Sequence, residues 1–141
     1  RMKNCLSANE FKFGQIDYKQ NPTSIIDRIG RPDSVYRDIE TNSELWFYKD
    51  IEIGITNSHI YYLWIKDSAL STPSGIKIGL TRQDVNERLQ KNYSGNLHID
   101  STANNIQIVN CETEFYLIML FEIDKLEICC IADTAVFVSC C

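Results

Sequence analysis

Basic residues nearly vanish from the last third of this chain. Residues 92–141 hold seven acidic side chains and a single basic one, Lys125, whereas residues 1–70 hold ten acidic and nine basic, so the formal net charge of −5 resides in the C-terminal part. A nucleic-acid backbone is gripped by a basic surface, so this distribution argues against such a partner and favours a basic protein. Long apolar runs are missing too. No stretch approaches the roughly 18 to 20 residues that cross a bilayer as a helix, so no membrane association is expected. The N-terminal "RMKNCLSANEFKFG" lacks the apolar block of a secretory signal. With Met2 read as the natural start and Arg1 as an added residue, the expected location is the cytoplasm.

Other absences remove whole chemistries. The six glycines stand dispersed at 14, 30, 54, 75, 79 and 95, which gives neither a phosphate loop nor a dinucleotide fingerprint. There is no C-x-x-C pair and no cysteine beside a histidine, so no metal and no cofactor is expected. Cys5, Cys111, Cys129, Cys130, Cys140 and Cys141 include two adjacent pairs, unlike the spread spacing of a stapled secreted fold. Reduced, packed thiols are therefore expected, with only the terminal pair Cys140 and Cys141 open to oxidation. Within "ICCI", strand alternation sends Cys129 and Cys130 to opposite faces. Histidine is limited to His59 and His98. A cysteine-based site from His98, Cys111 and Glu112 has no local signature behind it, and the expectation is that the chain is not an enzyme.

What is present is core. The 141 residues are 44% hydrophobic and 11% aromatic, enough for one compact domain. In "NPTSIIDRIGRP", Asn21 can cap, Pro22 suits the first helical turn, Gly30 can close it and Pro32 forbids continuation, which predicts a helix near 22–30 with Ile25, Ile26 and Ile29 on its apolar face. After "DSVYRDIETNSE", read as a polar loop, the period falls to two. "LWFY" (45–48), "IEIGI" (51–55) and "IYYLWI" (60–65) predict an antiparallel meander.

The pattern then recurs. "KDSALSTPSG" is a connector, Thr81 caps a second helix over 81–91 with Asp84 in its first turn, and Val85 and Leu89 face the core. Strands are predicted at 106–109, 114–123, 125–131 and 134–138. The expected fold is thus α+β: two tandem helix-loop-antiparallel-sheet units, at 1–70 and 71–141, forming one layer of strands covered by short helices and packed as one compact domain.

"GLTRQDVNERL" (79–89) and "IGRP" (29–32), followed by "LWFY" and "IEIGI", resemble the signature of small outer-membrane assembly lipoproteins of the SmpA/OmlA (BamE) type. Tandem use of such a unit is similar to the β-lactamase inhibitor protein fold. Gln90 stands where that signature has Gly, and no Pro follows it. The resemblance implies a protein binder with no catalytic position. Together with the acidic balance it leads to a cytoplasmic inhibitor, an immunity protein that neutralises a basic toxin domain; the alternative is an envelope assembly module of the lipoprotein type, and the third reading is a small enzyme. The aromatics Trp46, Phe47, Tyr48, Tyr61, Tyr62 and Trp64 fall in two runs, and Tyr62 and Trp64 share a face. Partner binding is therefore expected at Tyr62 and Trp64, together with Glu112, Glu114, Glu122 and Glu127.

Overall fold

The computed structural model describes residues 4–93 and 104–133. Gly95, His98, the run at 134–138, Cys140 and Cys141 lie outside them. The chain opens with β1 (Cys5–Leu6), a 3-10 turn (Ala8–Glu10) and a hairpin of β2 (Lys12–Phe13) and β3 (Ile16–Asp17). Then come α1 (Pro22–Ile29), β4 (Ser34–Asp38), β5 (Ser43–Tyr48), β6 (Ile51–Thr56) and β7 (His59–Ile65). After α2 (Arg82–Tyr93) follow β8 (Asn105–Asn110), β9 (Tyr116–Glu122) and β10 (Lys125–Ala132).

Both helices begin at side-chain caps. The Asn21 carboxamide oxygen accepts from the Thr23 amide at 2.9 Å, and the Thr81 hydroxyl accepts from the Asp84 amide at 3.1 Å. Gly30 ends α1 at φ +90°, a conformation a Cβ would resist.

Among the described residues, eight strands form one sheet in the order β1-β8-β9-β10-β7-β6-β5-β4. The pairing is antiparallel except between β1 and β8. This corrects the expected pair of tandem helix-sheet units. β10 pairs directly with β7, so the two meanders share one ladder. A row of cross-strand partners, Trp46, Ile53, Leu63, Ile131, Leu117 and Ile108, crosses that seam without a break, and every member is buried. Each such aliphatic side chain contributes about 1.5 to 3 kcal/mol, so the seam is core.

On the same face lie Ile25 of α1 and Val85 and Leu89 of α2, joined by Leu6, Phe11, Phe13, Ile16 and Tyr18 of the N-terminal segment. That segment carries a buried acid, Glu10. Its carboxylate accepts from the Thr72 hydroxyl and, at 2.7 Å, from the Ser74 hydroxyl, which ties the 3-10 turn to the connector before α2.

The expectation of reduced thiols is also corrected. Cys5 and Cys111 form a disulfide with Cα atoms 5.0 Å apart. The register Leu6↔Asn110 places β1 beside the end of β8, which brings together two cysteines separated by 106 positions. Cys130 is disulfide-bonded as well. Cys129 remains a thiol in the core, and burial pushes its pKa far above the ordinary range. Iodoacetamide at mildly alkaline pH should therefore leave Cys129 unmodified in the native protein and label it after denaturation. Rapid native labelling, read by mass spectrometry, would contradict its burial.

Candidate functional site

The helices cover one face of the sheet. The opposite face is assembled from two rows of cross-strand partners. One runs Tyr36, Leu45, Gly54, Tyr62, Ala132 and Tyr116, and the other Ser34, Phe47, Glu52, Trp64, Cys130 and Ile118. Tyr61 joins them because the register shifts between Gly54 and Ile55: a Cβ at residue 54 would stand 2.8 Å from the Tyr61 ring, so glycine is what lets that ring lie over β6.

Exposure divides this face. Ile118, Cys130 and Ala132 are fully buried. Toward β4 the surface opens: Leu45, Phe47, Tyr61, Tyr62 and Trp64 are half-buried, and Tyr36 is 60% exposed. Of the four exposed large apolar side chains among the described residues, three (Val35, Tyr36 and Ile39) belong to β4 or follow it directly. Among the described residues β4 pairs with β5 alone and forms the margin of the sheet. An unprotected margin with apolar side chains is a template for another strand. Glu52 lies within the aromatic rows, and desolvation holds its carboxyl above the usual range.

The acids named from sequence do not form one cluster. Glu112 and Glu114 are exposed in the β8–β9 turn, while Glu122 is exposed at the far end of β9. Seven residues of strand put roughly 20 Å between those ends. Glu127 is engaged by Lys66 at 3.8 Å. Beside Glu122, the β9–β10 turn is fixed by Arg82 on Asp124 at 2.8 Å. Tyr62 and Trp64 do lie on one face and pack against the same small cluster of Ile118, Cys130 and Ala132. The contributions of Tyr36 and Val35 were hidden in "DSVYRD", where two apolar residues among charged ones carry no visible alternation.

A cleft of about 510 Å³ at the start of α1 contains Arg37, Glu44 and Trp46. The Trp46 indole N–H donates to Glu44 at 2.9 Å and Arg37 pairs with it at 2.6 Å, so these donors, the indole first, hold the Glu44 carboxyl below its ordinary range. That ion pair is already satisfied internally. Cys111, the thiol of the cysteine-based reading, is tied up in the disulfide, and its supposed base His98 lies outside the described residues. Among the described residues no group of three or more His, Cys, Asp or Glu side chains is arranged to hold a metal ion. No helix among them is long and apolar enough to cross a membrane.

No family model and no curated protein matches the sequence. The fold is similar to that of an extracellular protein containing a SCP domain from Bacillus anthracis strain Ames, with a TM-score of 0.59 and 11% identity over 98% of this chain and 49% of that one. It is also similar to a cysteine-rich secretory protein from Staphylococcus aureus, with a TM-score of 0.61 and 12% identity over 97% of this chain and 52% of that one. The chain thus spans about half the length of either neighbour, and at such identity the likeness concerns the fold.

These neighbours correct the resemblance drawn from the motifs. "IGRP" and "GLTRQDVNERL" carry capping and closing chemistry that any fold with short docked helices can use, so they did not single out the assembly lipoproteins or the β-lactamase inhibitor protein. The immunity-protein role and the envelope-lipoprotein alternative lose their support with that resemblance. The cytoplasmic location is corrected too, because both neighbours are described as extracellular or secretory and the Cys5–Cys111 bond belongs to oxidising surroundings.

Proposed function

We propose that this domain works outside the cytoplasm as a non-catalytic protein-binding module, and that it takes an extended segment of a partner protein along β4 and onto the open half of the aromatic face. The observation that carries the reading is the β4 margin. Its outer backbone groups favour a strand as occupant, because a strand supplies a ladder of donors and acceptors in register. Tyr36 on that margin and Leu45, Phe47 and Trp64 inward of it lie on one face, so an added strand with aromatic or β-branched residues at alternate positions extends their rows. The net charge of −5 favours a partner with basic residues at its remaining positions. The disulfides support an extracytoplasmic setting, and the engagement of Cys111 supports a role without chemistry.

A random dodecapeptide display library selected against the chain tests this. Enriched peptides should alternate apolar with polar or basic residues. Their affinity should fall at least about tenfold on a Tyr36→Lys, Phe47→Ser double variant whose melting curve stays near the parent's. Equal affinity for both proteins, or enrichment of helical peptides without alternation, would overturn the reading.

A further inference from the structure

On the helix-bearing side of the molecule, four cations border a cleft distinct from the β4 margin. The cleft, about 470 Å³, lies between the β2–β3 hairpin, the end of α1 and the β5–β6 turn, with Ile16, Ile29, Ile51 and Leu70 as its apolar walls and Arg28 and Lys49 on its rim. A recess of about 270 Å³ adjoins it through the shared residues Gly14, Gln15 and Arg28, and adds Lys12 and Lys19. Together they form one continuous amphipathic surface.

Among the described residues none of these four cations has a carboxylate partner. The ion pairs among the described residues are Arg37–Glu44, Lys66–Glu127 and Arg82–Asp124. The two acids on the surface are engaged by backbone: Asp17 accepts from the Lys19 amide at 3.0 Å and Asp67 from the Ala69 amide at 2.9 Å. Counting side chains, the lining holds four positive and two negative charges, a local excess of cations in a chain whose total is −5. Lys19 stands over the Tyr18 ring at 5.9 Å from its centroid, which leaves its charge open to an anion. An acidic protein that gathers cations without carboxylate partners around an apolar cleft has a surface complementary to an anion with an apolar body.

We infer that this cleft docks an acidic peptide segment, with an apolar side chain seated between Ile29, Ile51 and Leu70 and flanking carboxylates reaching Arg28 and Lys49 on one side and Lys12 and Lys19 on the other. A peptide suits the surface because the cations are spread over two joined hollows. A chain with several carboxylates spans both, whereas a single anionic head occupies one. Arg28 can grip a carboxylate through two parallel N–H donors, and the lysines act as point charges that speed approach. The site is separate from the β4 margin, so it stands or falls independently of the function proposed above.

The test uses a fluorescein-labelled, end-capped peptide of sequence DELFDE, a KRLFKR control and vesicles of phosphatidylglycerol, with binding to the intact chain read by polarisation and co-sedimentation. The acidic peptide should bind, weaken as salt is raised, and lose at least about tenfold in affinity on an Arg28→Glu, Lys49→Glu variant. These side chains are exposed, so the variant should fold, and a Lys12→Ala, Lys19→Ala variant with an unchanged melt provides a second reading with a smaller loss. Absence of DELFDE binding, equal binding of KRLFKR, undiminished binding to the charge-reversed variant, or sedimentation with vesicles in place of peptide binding would each overturn the inference.

Discussion

Replacing Cys5 and Cys111 together by serine should lower the melting temperature by roughly 12 to 25 °C. The bond spans a sequence separation of 106, so it closes about three quarters of the 141-residue chain into one loop. Cross-linking a loop of about 100 residues removes roughly 4 to 5 kcal/mol of entropy from the unfolded state. For a domain of this size each kcal/mol moves the midpoint by roughly 3 to 5 °C. The native state loses an anchor as well: β1 has two residues, and beyond its pairing with β8 it is held by the Cys111 amide donating to the Leu6 carbonyl at 2.8 Å. Hydrogen exchange should therefore quicken first at Leu6 and Phe11, both fully buried in the parent. A double variant that melts within about 3 °C of the parent would show that closure contributes little.

The second large effect is expected at Leu89→Asp. Leu89 is fully buried in the same cluster as Val85, Ile25 and the sheet rows. An aspartate there either carries an unpaired charge into the core or takes up a proton, and the lost packing adds to the penalty, for a total on the order of 3 to 5 kcal/mol. Urea unfolding should show the midpoint falling accordingly, while Gln83→Asp on the exposed side of α2 should stay within about 0.5 kcal/mol. On α1 the equivalent position is Ile25, which is 1% exposed, and Ile29→Asp should cost less because Ile29 is only half-buried at the end of its helix. A Leu89→Asp protein that unfolds like the parent would mean that α2 is not docked on the sheet.

Local chemistry made much of this structure readable in advance. Asn21, Pro22 and Gly30 bracket α1, and Thr81 opens α2, because caps satisfy backbone groups within a few residues of themselves. The alternation in "IEIGI" and "IYYLWI" likewise reports strands with one buried side. Long-range features were not readable. Nothing local in "KLEICCI" says that Cys129 will stand opposite Ile65, and that pairing is what turns two meanders into one sheet. Cys5 and Cys111 meet through the parallel pairing of a two-residue strand, too short to leave a pattern in sequence.

The binding surface shows the same limit. The shared face of Tyr62 and Trp64 follows from the period of a strand, but Tyr61 reaches that face only through the shift beside Gly54. The acids at 112, 114, 122 and 127 are near neighbours in sequence and are spread along β9 and β10 in space. β4 escaped notice because a marginal strand need not bury either side, and "SVYRD" buries almost nothing.

The most direct test of an extracytoplasmic, disulfide-bonded domain is peptide mapping without reduction, applied to the chain recovered separately from the cytosolic and the extracytoplasmic fractions of the cells that produce it. The account predicts the chain in the extracytoplasmic fraction, with the Cys5 peptide linked to the Cys111 peptide and Cys129 recovered as a thiol after denaturation. Recovery in the cytosolic fraction with Cys5 and Cys111 both free to react with alkylating reagent would contradict it.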